Sequence, residues 1–204
     1  MPSRNIVKID VDQSYYHVYA RGASRKDIFL DKEDYRVFLN LCKRYLSREP
    51  MTDRLGREYK NFYDNVELLA FCLMPNHFHL LFYQDEAGAI SHLMRGVMTS
   101  YSGYFNRKYS RSGALFESRY KSSRISDDAY LMHISRYIHL NPKQWRTWSW
   151  SSLANYLGRA ESDWLRPERI TELFASREMY EKFVADYEDS QRMIEAIKHE
   201  LANS

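Results

Sequence analysis

The segment VELLAFCLMPNHFHLLFY, residues 66–83, decides the fold of this chain. Residues 66–74 form an almost unbroken apolar run, which is typical of a β-strand that is covered on both faces. Pro75 and Asn76 favour a turn, and residues 77–83 then resume as a second strand. Because the connection is so short, the two strands are predicted to be antiparallel neighbours.

The sequence on either side of this hairpin predicts further strands and helices. We expect a strand over 15–22, a helix over 31–46 capped by Asp31, an exposed loop over 47–64, a helix over 87–109, an edge strand over 114–121, a helix over 127–141 capped by Ser126, and two helices within 167–200. This order predicts an α+β fold: a ferredoxin-like antiparallel sheet with helices packed on one face, plus a C-terminal helical extension.

Composition and charge indicate a folded protein with an uneven surface. The 204 residues are 44% hydrophobic and carry a formal net charge of +3, which argues against disorder. Acidic residues prevail over 160–204, so the preceding part is basic and suits a polyanionic partner. We therefore expect a basic domain over 1–158 and an acidic helical extension over 159–204.

The cellular compartment is predicted from cysteine usage and from hydropathy. Cys42 and Cys72 both lie in apolar runs, which indicates buried thiols in a reducing environment rather than a disulfide. The sequence shows no signal-peptide pattern and no apolar run long enough to span a membrane. A cytoplasmic location without a membrane partner is the expectation.

Two histidines on the second strand of the hairpin form a candidate metal site. His77 and His79 are separated by one residue, so on a strand both imidazoles face the same way, while Phe78 faces the core. Two such imidazoles on a rigid strand make half of a metal site. The alternative is a pair of half-buried histidines that are hydrogen-bonded by their neighbours.

The helix predicted over 127–141 carries a candidate nucleophile. His133, Tyr137 and Asn141 recur at intervals of four residues and share one helix face, whereas His139 lies on another side. The chain has 17 tyrosines, and spacing alone leaves open that Tyr137 is a packing residue. The sequence does not identify a proton acceptor for its hydroxyl, although His133 is one option.

Several separated motifs in a fixed order resemble one family. The run LMPNHFHLL over 73–81 is similar to the signature of the HUH single-tyrosine transposases, in particular the REP-associated branch, which is related to the small insertion-sequence transposases. The resemblance covers about residues 12–158. Its other matches are YHV at 16–18, RG at 21–22, YFN at 104–106, GALFESRYK at 113–121, YIHLNP at 137–142 and WSS at 150–152.

This resemblance implies a transposase that cleaves and rejoins single-stranded DNA through a 5′-phosphotyrosine. Tyr137 matches the catalytic tyrosine, and His77, His79 and Asn141 match the positions that hold a divalent cation, Mg²⁺ or Mn²⁺. Related transposases often carry Gln at the last of these positions, so a helix-capping role for Asn141 stays open. The implied partner is hairpin or palindromic single-stranded DNA, bound by a monomer or a homodimer.

Basic residues near these motifs are the predicted DNA contacts. They are Arg21, Arg25, Lys26, Arg119, Lys121 and Arg124. A basic run can also be an ordinary solvated surface. Two other functions stay open: a non-catalytic DNA-binding protein on the same scaffold, and a metal-dependent phosphodiesterase that uses water as its nucleophile.

Overall fold

The computed structural model describes residues 10–186 and contains one four-stranded antiparallel sheet within that range. The strands are β1 (Ser14–Arg21), β2 (Val66–Met74), β3 (His77–Gln84) and β4 (Lys121–Ile125). They lie in the order β2-β3-β1-β4, and every neighbouring pair is antiparallel. The predicted α+β fold with a ferredoxin-like sheet is confirmed.

The β2–β3 hairpin forms as the sequence predicts. Met74 pairs directly with His77 across the Pro75-Asn76 turn. The Pro75 carbonyl accepts hydrogen bonds from the backbone N–H groups of Ile28 and Phe29, which ties the hairpin turn to the segment that follows β1. A bulge between Leu68 and Ala70 interrupts the alternation of β2, a common means of re-aiming side chains.

Two long helices cover one face of the sheet. They are α1 (Lys32–Leu46) and α2 (Ala89–Lys108), and both contribute to the larger hydrophobic core. The predicted cap of α1 is confirmed, because the Asp31 carboxylate accepts from the backbone N–H groups of Glu33 and Asp34 in a capping box.

A third long helix, α3 (Asp128–Leu140), lies on the opposite face. The prediction placed the helices on one face, which holds for α1 and α2 but not for α3. The physical reason is that the strands are apolar on both sides, so Leu81 and Cys72 form a second core with Ile134 and Ile138 of α3. The cap of α3 is Asp127 rather than the predicted Ser126.

Three short helices complete the second core. They are α4 (Leu153–Tyr156), α5 (Glu168–Thr171) and α6 (Arg177–Ala185). The rest of the helical prediction over 167–200 lies outside the described residues. The domain boundary after residue 158 stays a prediction, since α5 and α6 pack on the same core as α3.

The edge strand is displaced from its predicted position over 114–121. Residues 121–125 pair with β1, whereas Phe116 forms only an isolated bridge with Gly22. Leu115, Phe116 and Tyr120 are buried in the larger core, so their apolar side chains indicated burial rather than a regular strand.

No helix within residues 10–186 is both long and apolar enough to cross a bilayer. Cys42 and Cys72 are buried free thiols, as predicted.

A buried polar network fixes α3 against the rest of the second core. The His139 imidazole lies 2.7 Å from the Tyr180 hydroxyl through Nδ1 and 2.8 Å from the Ser152 hydroxyl through Nε2. The Ser152 hydroxyl in turn bonds the backbone of Phe71 in β2. Because these groups satisfy one another away from water, they restrict how α3 sits on the sheet.

Candidate active site

The central strands β1 and β3 bring alternate polar side chains to one face of the sheet. His17, Tyr19 and Arg21 of β1 lie opposite Leu81, His79 and His77 of β3, respectively. The two β3 imidazoles share this face, with ring centroids 5.1 Å apart, as the His-x-His spacing predicts. The apolar side chains between them point into the core beneath α1 and α2.

Helix α3 places Tyr137 and Asn141 over these histidines within the same chain. The Tyr137 ring lies edge-on to His79, with centroids 5.2 Å apart, and 6.0 Å from His17. Asn141, one turn later, brings its Oδ1 to within 3.1 Å of His77 Nε2. His139 faces the other way into the buried network, as helix periodicity predicts.

His133, the option considered for a proton acceptor, contacts a different part of the chain. Its Nδ1 lies 2.7 Å from an Arg136 nitrogen, and its ring packs against Phe183 of α6. The adjoining Arg136 charge adds to burial in lowering the pKa of His133. This imidazole is therefore occupied on the side of α3 that faces α6.

The hydrogen bonds around His77 determine which of its nitrogens carries the proton. The Asn76 Nδ2 donates to the Arg25 carbonyl at 3.3 Å, so Asn76 Oδ1 is the atom that meets His77 Nδ1 at 2.6 Å. Burial lowers the pKa of His77, so a neutral ring donates from Nδ1 and has a lone pair on Nε2.

This lone pair faces a second acceptor. The Asn141 Oδ1 is the atom that points at His77 Nε2, at a distance of 3.1 Å. The same side chain interacts with Tyr137 and opposes the rise in the pKa of its phenol. Because the His77 Nε2 lone pair and the Asn141 oxygen are both acceptors, this short distance favours a cation between them over a direct contact.

Burial keeps His79 and Tyr137 in their neutral forms. It lowers the pKa of His79 well below its ordinary value, and neighbouring His17, His77 and Arg21 lower it further. Burial raises the pKa of Tyr137 to about 12, although Asn141 and the Arg21 charge oppose this shift. Neutral imidazoles are the form that binds metal, whereas a neutral phenol is a weak nucleophile.

The residues present fit a divalent cation with nitrogen and oxygen ligands. Two imidazoles and one amide oxygen, with positions left for phosphate or water, form the kind of mixed set that Mg²⁺ and Mn²⁺ accept. In the part of the chain that the structure describes, no three His, Cys, Asp or Glu side chains gather in a metal-binding cluster. The Asn141 amide oxygen, 3.1 Å from His77 Nε2, is a further donor atom at this site.

The site opens into a cleft of about 580 Å³ whose rim is basic. Its lining includes three of the predicted DNA contacts, Arg21, Arg119 and Lys121, together with Lys143. The other three lie outside the cleft: Arg25 and Lys26 are exposed in the turn after β1, and Arg124 pairs with Tyr16 on the opposite face of β4. The structure thus brings half of the predicted basic set to the histidines.

The histidines, the tyrosine and the asparagine of this site lie in a segment that matches a known protein family. The family model described as "Transposase IS200 like" matches residues 10–141, a segment that contains both histidines, Tyr137 and Asn141. The chain belongs to the IS200-like transposase family. Membership places it among proteins that bind and cleave DNA, and the family resemblance expected from the sequence motifs is confirmed.

Solved structures are similar to this chain at low sequence identity. One is a REP-associated tyrosine transposase bound to a REP hairpin, which is 15% identical over 77% of this chain and 91% of that chain, with a TM-score of 0.55. A candidate transposase from Deinococcus radiodurans is 16% identical over 65% of this chain and 93% of that chain, with a TM-score of 0.40. None of the curated proteins matches this chain.

Several residues of this IS200-like transposase reach the site without having been assigned to it from the sequence. His17 and Tyr19 lie beside His79, while Glu117 and Lys143 line the cleft. The alternation of His17, Tyr19 and Arg21 along β1 was a usable signal, because residues two apart on a strand share a face. Glu117 lies in the family motif over 113–121, whereas no local pattern marked Lys143, and both residues lie in loops.

Proposed function

We propose that this protein is a transposase that cleaves and rejoins single-stranded DNA through a covalent bond between Tyr137 and a 5′-phosphate. The observation that carries the proposal is the edge-on contact between the Tyr137 and His79 rings within one chain. It lies at the base of a basic cleft, where a phosphodiester can approach both groups. Family membership supports a DNA-cleaving activity in general.

A divalent cation, Mg²⁺ or Mn²⁺, would be held by His77, His79 and Asn141. When bound, it would polarise the scissile phosphate and offset the charge that accumulates during attack. The side-chain chemistry that supports this assignment is the convergence of the His77 lone pair and the Asn141 oxygen. Arg21 lies directly opposite His77 on β1 and adds a fixed positive charge to the same face.

The proposed step exchanges one phosphorus–oxygen bond for another. The Tyr137 oxygen forms a bond to phosphorus, the bond from phosphorus to the 3′-oxygen breaks, and the phenol proton is matched by one gained at the departing 3′-oxygen. A 3′-hydroxyl can later attack the phosphotyrosine and reseal DNA, because the exchange conserves bond energy. Burial raises the pKa of the Tyr137 phenol to about 12, so the resting hydroxyl is neutral and its proton has to be removed for attack.

The proposed substrate is single-stranded DNA that contains a hairpin. A solved structure with the same fold holds a REP hairpin, which supports a hairpin ligand for this chain. Arg21, Arg119, Lys121 and Lys143 are placed to contact phosphates, and the Tyr19 ring in the cleft can stack on an unpaired base. Arg25 and Lys26 extend this basic surface along the turn after β1.

We further propose that a single subunit can complete the site. The histidines and the tyrosine helix meet within one chain, so cleavage does not require exchange of α3 between subunits. The buried network of His139 holds that helix in place. The acidic segment after residue 158 would then serve as a structural extension of the catalytic domain, since α6 packs on α3.

The experiment is incubation of the full chain with hairpin-containing single-stranded DNA and Mn²⁺, followed by denaturing electrophoresis. The wild-type chain should yield a denaturant-stable protein–DNA adduct, and Tyr137→Phe should yield none while it still binds the DNA. Tyr130→Phe is the matched control, because Tyr130 lies on the same helix and packs in the second core. It should form the adduct as wild type does.

Two outcomes would separate the competing functions. If the DNA is cleaved without forming an adduct, and cleavage persists in Tyr137→Phe, water is the nucleophile. DNA binding without cleavage by the wild-type chain would show a non-catalytic binding protein. Either result would contradict the proposed tyrosine mechanism.

A further inference from the structure

The strongest unassigned feature next to the site is a direct hydrogen bond between two buried imidazoles. His17 Nε2 lies 2.9 Å from His79 Nδ1, and both residues are almost wholly buried, at 1% and 4% exposure. The ring planes are inclined by 21°, and the centroids are 5.0 Å apart. The two nitrogens therefore meet edge to edge near both ring planes, where the N–H bond and the lone pair lie.

One proton is shared at this contact, and its position has a chemical consequence. If His17 donates, neutral His79 carries its own proton on Nε2, and that nitrogen cannot bind a cation. If His79 donates from Nδ1, its Nε2 keeps a lone pair for a metal. Only the second arrangement is compatible with His79 as a ligand.

The same arrangement is found at the other histidine of the pair. His77 donates its Nδ1 proton to Asn76 Oδ1, and the opposite nitrogen faces Asn141. Asn76 comes from the hairpin turn, whereas His17 comes from the middle of β1. Each imidazole of the pair therefore has one acceptor behind it and its Nε2 as the remaining nitrogen.

We propose that His17 is a positioning residue for His79. It accepts the Nδ1 proton of His79, which fixes the tautomer and the rotation of that ring and leaves Nε2 for the cation. This role rests on the proposed function, because it has meaning only if His79 is a ligand. His17 itself touches neither substrate nor metal in this assignment.

The position of His17 suits a fixed acceptor. The residue lies in the central strand β1, hydrogen-bonded on both sides to β3 and β4, so its backbone has little freedom to move. Its ring is also flanked by Tyr19 at 5.4 Å and by Tyr137 at 6.0 Å between centroids. A rigidly held partner behind a ligand typically contributes about 10- to 100-fold in metal affinity.

The first test reads the tautomer directly in the wild-type chain without metal. Long-range ¹H–¹⁵N correlation spectra distinguish a protonated Nδ1 from a protonated Nε2, and His79→Asn identifies the His79 signals by their loss. The proposal expects the His79 proton on Nδ1 and the His17 proton on its own Nδ1. A His79 ring protonated on Nε2 would overturn it.

The second test measures Mn²⁺ affinity of the full chain without DNA, from the electron paramagnetic resonance signal of free Mn²⁺. His17→Leu removes the acceptor and should weaken binding about 10- to 100-fold, whereas His17→Gln restores an acceptor oxygen and should stay within about threefold of wild type. His92→Leu is the matched control, because it removes another imidazole, on α2 across the sheet from the site. It should bind Mn²⁺ as wild type does.

The variants also separate failure of the inference from failure of the proposed function. Wild-type affinity in His17→Leu, or equal losses in His17→Leu and His17→Gln, would show that His17 does not act as an acceptor for the ligand. Wild-type affinity in His79→Ala would instead show that the cation does not bind there, which would overturn the proposed site and the role of His17 with it.

Discussion

Replacement of His139 by Leu should destabilise the protein at neutral pH but much less in acid. The imidazole makes two buried hydrogen bonds, to Tyr180 at 2.7 Å and to Ser152 at 2.8 Å. Each is worth about 1 kcal/mol net, so His139→Leu should lower the free energy of unfolding by about 2 kcal/mol near pH 7.5. The hydrophobic gain of Leu would offset part of this loss.

Acid removes this advantage because burial lowers the pKa of His139 from 6.5 to about 3. The folded state then excludes a proton that the unfolded state binds, so stability falls as the pH drops below about 6.5. At about pH 5.0 the unfolded state gains RT ln(1 + 10^1.5), about 2 kcal/mol, through this one residue. The deficit of His139→Leu relative to wild type should therefore nearly vanish.

Urea denaturation of both proteins, followed by tryptophan fluorescence at the two pH values, measures this difference. The other buried histidines are present in both proteins, so their contributions cancel in the comparison. A deficit that stays the same at both pH values would refute the reasoning, because it would mean that His139 takes up a proton equally well in the folded and unfolded states.

Three further predictions address the cleft and the turn after β1. Asn141→Ala should weaken Mn²⁺ binding at least about tenfold in a titration, because it removes the only amide oxygen that faces His77 Nε2 within the described chain. An unchanged Mn²⁺ affinity would exclude Asn141 as a ligand. Lys121→Ala should reduce the slope of log affinity for single-stranded DNA against log salt by about 0.7. Arg124→Ala, on the opposite face, should leave this slope unchanged. Equal effects of the two substitutions in a salt-dependent binding assay would contradict the cleft assignment. Gly22→Ala should lower the free energy of unfolding in urea by about 1–3 kcal/mol, because a Cβ would overlap the carbonyl oxygen of Lys26, and wild-type stability would show that this turn relaxes freely.

Much of the fold could be predicted from local patterns. The apolar run over 66–74 and the Pro75-Asn76 turn predicted a hairpin whose strand bounds agree with β2 and β3 to within one residue. Asp31 capped its helix as expected, since a side-chain cap acts on backbone groups only two or three residues away. Such features depend on neighbours in the sequence, which is why the sequence reveals them.

The edge strand and the position of α3 could not be predicted in the same way. The apolar residues Leu115, Phe116 and Tyr120 can be buried in a strand or in an irregular segment, and only their packing partners decide which. Likewise, the apolar faces of β2 and β3 showed that both sides need cover. They did not show that α3 provides it on one side.

The same distinction between local backbone geometry and contacts of distant segments applies to the candidate site. Strand alternation placed His77 and His79 on one face, and helix periodicity placed Tyr137 with Asn141 and away from His139, because both are properties of regular backbone geometry. Which strand lies beside β3, which helix covers it and which basic residues reach the cleft depend on contacts between distant segments. Only the tertiary structure therefore brought His17 to His79 and Lys143 to the cleft, and placed Arg124 on the far side of the sheet.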